Sequence, residues 1–216
     1  LVNSKIGTGN QLCQMLYPSI LLQKLLHPIL PFLEKISPAR HHSSAAHETS
    51  LQSVEIDDVA IFFRFLDGFF LYGFVLSWAE EDFFHWMDPK KRNMAKRDYA
   101  WLESLWIRNQ YTSGMDRIIA KLFSLSTNLP EFLEKHPDSK ILYIIRDPLA
   151  VIPSGMNLIS GVLDKRFGFW SLPNEKRQHF IDRLYFGLVH LLLRFHEDWE
   201  SGRIDRSKVY IVHFDR

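Results

Sequence analysis

The nine residues "KILYIIRDP" (140–148) constrain this chain more than any other stretch. Five consecutive apolar residues, Ile141 to Ile145, predict a buried strand. Pro148 lacks an amide hydrogen and biases the residue before it away from the helical region, so the strand has to stop there. Asp147 carries a side chain suited to cap a helix, and Pro148 suits a first helical position. A strand that feeds straight into a capped helix is half of a crossover unit, which predicts α/β architecture with a parallel sheet.

The flanking pattern extends that reading. "RIIAKLF" (117–123) is a short apolar run, and "NLPEFLEKH" (128–136) has Asn128 as a cap with Pro130 in the first turn. A helix-rich stretch runs from about Asn174 to Trp199, and "KVYIVHF" (208–214) predicts a third strand. Residues 111–216 therefore read as a parallel α/β layer and residues 1–110 as a mostly helical part.

In the helical part, Leu12–Ile36 has apolar residues at helical spacing broken by Pro18, Pro28 and Pro31, which predicts two short helices. The polar stretch that follows carries His41, His42 and His47 without a cysteine or acid at ligand spacing, so it reads as a solvated loop and no metal is expected. Glu55, Asp57 and Asp58 stand where a helix start favours negative charge, placing that start near Asp57. The run from Val59 to Trp78 is long enough to cross a bilayer, but Arg64 and Asp67 lie inside it, three apart. An isolated charge at the bilayer centre costs about 2.5–3.5 kcal/mol, so a buried core helix with an internal ion pair is the reading taken.

Charge and cysteine content narrow the function classes. Lys and Arg total 26 against 25 Asp and Glu, so the whole-chain charge carries no footprint for nucleic acid, and an anion site has to be a local cluster. The single cysteine, Cys13, excludes an intramolecular disulfide and any all-cysteine metal site, and fits a cytoplasmic setting. At 216 residues one domain is expected; the start at Leu1 suggests a segment of a longer protein, and no cleavable signal peptide is visible in it.

The candidate anion site is Arg146. In open α/β sheets ligands bind beyond the carboxyl ends of the strands, and Arg146 stands at such an end just before a helix start. Its planar guanidinium matches phosphate oxygens, the helix start adds backbone donors, and Ser154 about two turns on adds a hydroxyl. The spacing equally allows Arg146 to pair with Asp147 and Ser154 to be an ordinary helix residue.

"YIIRDPLAVIPS" resembles the 3'-phosphate-binding element of sulfotransferases that use 3'-phosphoadenosine 5'-phosphosulfate (PAPS), in its bacterial-type form. "RIIAKLFSLS" resembles the family's strand that carries a lysine toward the active site, and "VYIVHFDR" resembles its later strand. "EIDDVAIFFRFLDGFFLYGF", followed by "AEEDFF", resembles the helical insert and acidic motif of members that act on bulky or lipid-like acceptors. The family's 5'-phosphosulfate loop, a proline and a basic residue followed by Ser-Gly-Thr-Thr, has no counterpart, since "KIGTGNQ" lacks that order.

The resemblance implies a P-loop-like three-layer α/β fold, a short parallel sheet flanked by helices and a helical insert. It implies one partial sulfotransferase-like domain over 1–216, with 1–110 on the acceptor side and 111–216 binding the nucleotide. Arg146 and Ser154 would hold the 3'-phosphate of PAPS, and Lys121 would neutralise charge near the bridging oxygen. No histidine stands near Lys121, so the acceptor's base is sought in the acidic cluster, Glu81 first, with Glu80 and Asp82 as alternates. Phe214 stacks on a base or fills the core, and core is the expectation. The 17 phenylalanines suggest an apolar acceptor pocket or peripheral membrane contact beside a large ordinary core, and the acceptor expected is a hydroxylated lipid-like molecule first and a carbohydrate second. A nucleotide-dependent phosphotransferase and a non-catalytic lipid- or partner-binding module are the rival classes.

Overall fold

The computed structural model describes residues 6–37, 49–75, 85 and 88–214. The chain divides into two compact units, residues 1–71 with 96–123 and residues 72–95 with 124–216. The class is α/β: helix-rich, with a short parallel sheet of two strands.

The first unit is helical. Its elements are α1 (Leu12–Leu16), α2 (Ile20–Leu26), α3 (Leu30–Ile36), α4 (Asp58–Phe65) and α5 (Ala95–Ser113). The N-terminal run is interrupted at Pro18 and forms three short helices rather than the two expected, with α2 and α3 joined by a helical turn. Pro18 precedes the Ser19 cap of α2, Pro28 sits in a 3-10 turn (His27–Ile29), and Pro31 stands in the first turn of α3, where a missing amide costs nothing. Leu30 and Leu33 pack on a core of Leu12, Cys13 and Leu51. Helix α5 buries Tyr99, Leu102, Leu105, Trp106 and Asn109, one stripe at helical spacing.

Helix α4 starts at Asp58, as the acidic residues indicate, but it is shorter than the apolar run. Leu66 adopts a left-handed conformation (φ 49°) and Gly68 follows at φ 86°, a value that favours glycine. With the helix ended, Arg64 and Asp67 are no longer one turn apart on it. Asp67 is ion-paired with Arg97 of α5 at 2.7 Å, while the Arg64 guanidinium lies 5.3 Å from the Trp101 ring. A short π-helical turn (Phe70–Val75) comes next.

The second unit holds α6 (Leu129–Lys135), β1 (Ile141–Ile145), α7 (Pro148–Phe167), α8 (Asn174–Glu200) and β2 (Val209–His213). Strands β1 and β2 pair in parallel, with Ile141 opposite Val209 and Ile145 opposite His213, and α7 and α8 form the crossover. Tyr143 of β1 stacks on Phe195 of α8, ring centroids 3.6 Å apart. That covers one face of the sheet. The strand predicted as buried is therefore half-buried: Leu142 and Ile144 point the other way and are 52% and 59% exposed. Gly155 lets α7 approach α8, since a Cβ there would lie 3.2 Å from a Leu188 methyl. Arg194 of α8 is buried and ion-paired with Asp88.

The strand expected over 117–123 forms only in part. Residues 117–123 make one isolated parallel bridge, Thr8 with Ile118. Beyond it the backbone turns to side chains: the amides of Lys121 and Phe123 donate to the carboxylates of Asp57 and Asp58, at 2.8 and 2.6 Å. Donors satisfied by carboxylates are not available to a strand partner.

Candidate functional site

In the second unit, the site is built where the sheet ends. Parallel pairing brings the carboxyl ends of β1 and β2 side by side, and the ladder runs one residue further through the Phe214 amide, which donates to the Ile145 carbonyl at 2.9 Å. Arg146 and Phe214 are thereby neighbours. The Arg146 guanidinium lies 5.2 Å from the Phe214 ring centroid, within cation–π range. Phe214 is 64% exposed, so the core placement expected for it is overturned: it is the first residue past a strand whose last positions already face solvent.

Asp147 is spent on the helix. Its Oδ1 accepts the Leu149 amide at 2.9 Å, and its carbonyl accepts the amides of Ala150 and Val151. Pro148 has no amide, so the first turn of α7 is satisfied within itself and adds no backbone donor for an anion. This corrects the expectation that backbone donors would join Arg146. The Arg146 guanidinium stands at this end, and the Ser154 hydroxyl is exposed two turns along α7.

Lys121 belongs to the first unit. Its side chain is exposed and its backbone is clasped by Asp57, which accepts the Lys121 amide at Oδ2 and donates its own amide to the Lys121 carbonyl, both at 2.8 Å. Asp57 is 1% exposed. Its Oδ1 takes Asn10 Nδ2 at 2.6 Å and Trp106 Nε1 at 3.1 Å, and Asn10 in turn accepts Asn109 Nδ2 at 3.0 Å. Burial pushes the Asp57 carboxyl up to about 6, against the opposing pull of the Lys121 amide, Trp106 and Asn10. Gly7 is required beside this clasp, because a Cβ there would meet the Arg117 carbonyl oxygen at 2.8 Å.

The role of Asp57 was not visible in the sequence, where it is one of three acids before an apolar run. Its partners lie 47 to 64 residues away and share no spacing with it. A groove of about 770 Å³ in the same unit is lined by Thr8, Gln11, Tyr17, Lys24, Leu30 and Asn109, among others.

Glu80, Glu81 and Asp82 lie outside the described residues, as do His41, His42 and His47. Among the described residues, no three His, Cys, Asp or Glu side chains gather as a metal-ligand group. No family model, curated protein or solved structure matches the chain.

Proposed function

We propose that the chain is part of a PAPS-dependent sulfotransferase with a P-loop-like three-layer fold, acting on a hydroxyl of an apolar, lipid-like acceptor. The observation that carries the reading is the pairing of Arg146 with the exposed ring of Phe214 at the carboxyl edge of a parallel sheet, with Ser154 two turns along the following helix. These residues fit one end of a nucleotide that carries a 3'-phosphate: a planar cation for the phosphate, a hydroxyl beside it and an open aromatic face for a base.

The donor supplies a sulfuryl group on a good leaving group. The chain's part is charge and proton handling. Arg146 and Ser154, both of the second unit, hold the 3'-phosphate. A carboxylate, Glu81 before Glu80 or Asp82, takes the acceptor's proton. Asp57 keeps the Lys121 backbone in one position.

Titration calorimetry with adenosine 3',5'-bisphosphate tests the reading. Arg146→Ala is expected to weaken binding by about 2–4 kcal/mol, the scale of a lost charge-assisted bidentate contact. Ser154→Ala is expected to cost about 1 kcal/mol. Unchanged affinity in Arg146→Ala removes the 3'-phosphate assignment.

A further inference from the structure

We propose that the outer face of α2 and α3 docks on an anionic membrane surface. The inference rests on the reading above for its purpose, since a lipid-like acceptor resides in a membrane, and on the first unit alone for its geometry.

From Ile20 to Ile36 the chain is helical throughout, through α2, the 3-10 turn and α3. Leu21, Leu25, Ile29, Phe32 and Ile36 follow one another at intervals of three or four residues, so they share a face. They are 68%, 63%, 47%, 64% and 64% exposed. Core packing does not explain this stripe, because the segment's contribution to the core comes from Leu30 and Leu33 on its other side. A contiguous exposed apolar stripe marks an interaction surface.

Charge selects the occupant. Lys24 and Lys35 are solvent-exposed on the same segment. Its one acid, Glu34, turns its carboxylate toward the core and accepts the Leu51 amide at 2.8 Å. Lys24 and Lys35 are thus the segment's exposed charged side chains. Apolar side chains that reach the acyl boundary, with lysines level with the phosphates, are the arrangement by which a helix lies in a membrane interface. Tyr17, half-exposed just before α2, suits the headgroup depth. No described helix is long and apolar enough to cross a membrane.

Co-sedimentation of the 216-residue chain with vesicles of phosphatidylcholine, with and without phosphatidylserine, tests the proposal. Binding about tenfold or more stronger to the anionic vesicles, weakening as salt rises, is expected. Leu25→Glu with Phe32→Glu should lose about tenfold or more of it, and Lys24→Glu with Lys35→Glu should abolish the preference for phosphatidylserine. Circular dichroism checks folding, and if the apolar variant fails to fold, the lysine variant and the salt dependence decide. Absent vesicle binding, or equal binding to both vesicle types, overturns the proposal. So does a concentration-dependent dimer that Leu25→Glu dissolves, which would assign the face to a second copy. Nucleotide calorimetry on the same samples separates the two readings: Arg146→Ala should lose the nucleotide and still sediment as wild type. Vesicle binding without any nucleotide binding would retire the sulfotransferase reading and leave the surface in place.

Discussion

The surroundings of Asp57 in the first unit and the end of β1 in the second handle polar chemistry in opposite ways. Around Asp57, every acceptor oxygen of a carboxylate that is 1% exposed has a donor, and those donors come from α5, from the stretch before α1 and from the Lys121 backbone. At the end of β1, Arg146 lies against an aromatic ring that is 64% exposed. The first arrangement closes on itself and holds chain segments together. The second leaves an aromatic face open toward solvent. A buried polar group costs free energy unless it is paired, so a closed network reports on folding, whereas a ring left exposed at a strand end is accessible to a ligand.

Three measurements can break or sharpen that contrast. The largest effect is expected for Asp57→Ala, which leaves the Asn10 amide, the Trp106 indole and the Lys121 backbone amide buried without an acceptor. Urea unfolding should show a loss of about 4 kcal/mol, since each such donor costs on the order of 1–3 kcal/mol. A loss near zero would mean that the network adds nothing to the fold.

Next comes pH. The Asp57 carboxyl is pushed up to about 6 from an ordinary 3.8. Between these values the folded chain keeps a proton that the unfolded chain has released, so the unfolded state binds fewer protons and stability falls as pH rises. The contribution is complete below pH ~4, is lost by somewhat above pH ~6, and amounts to about 3 kcal/mol. Urea midpoints across that range should show the slope, and Asp57→Asn should flatten it. A wild-type profile with no such slope would refute the raised value.

The smallest effect belongs to the open end. Phe214→Ala should weaken adenosine 3',5'-bisphosphate by about 1–2 kcal/mol, the lower part of the range for one base on one ring, while leaving the urea midpoint nearly unchanged. A fall in stability without a fall in affinity would make the ring a packing element and erase the contrast.

What could be read in advance was local. Asp147 with Pro148, and Pro130 in a first turn, act within one turn, and α7 and α6 start where expected, whereas the N-terminal run formed three helices in place of two. The strand register followed less directly. An apolar run of five announces a strand without saying how many of its faces are covered, and Leu142 and Ile144 turned out exposed because one layer of helix covers one face.

By itself, then, the sequence determined the α/β class, the strands β1 and β2 with helices between them, and the position of Arg146 at a strand end before a capped helix. The tertiary structure alone decided which carboxylate is buried, that residues 117–123 bond to Asp57 and Asp58 beyond a single bridge, and that Phe214 lies exposed beside Arg146. The physical reason is range. Caps, prolines and apolar periods act over a few residues, whereas desolvation and the pairing of buried donors depend on residues that only the folded chain brings within 3 Å of one another.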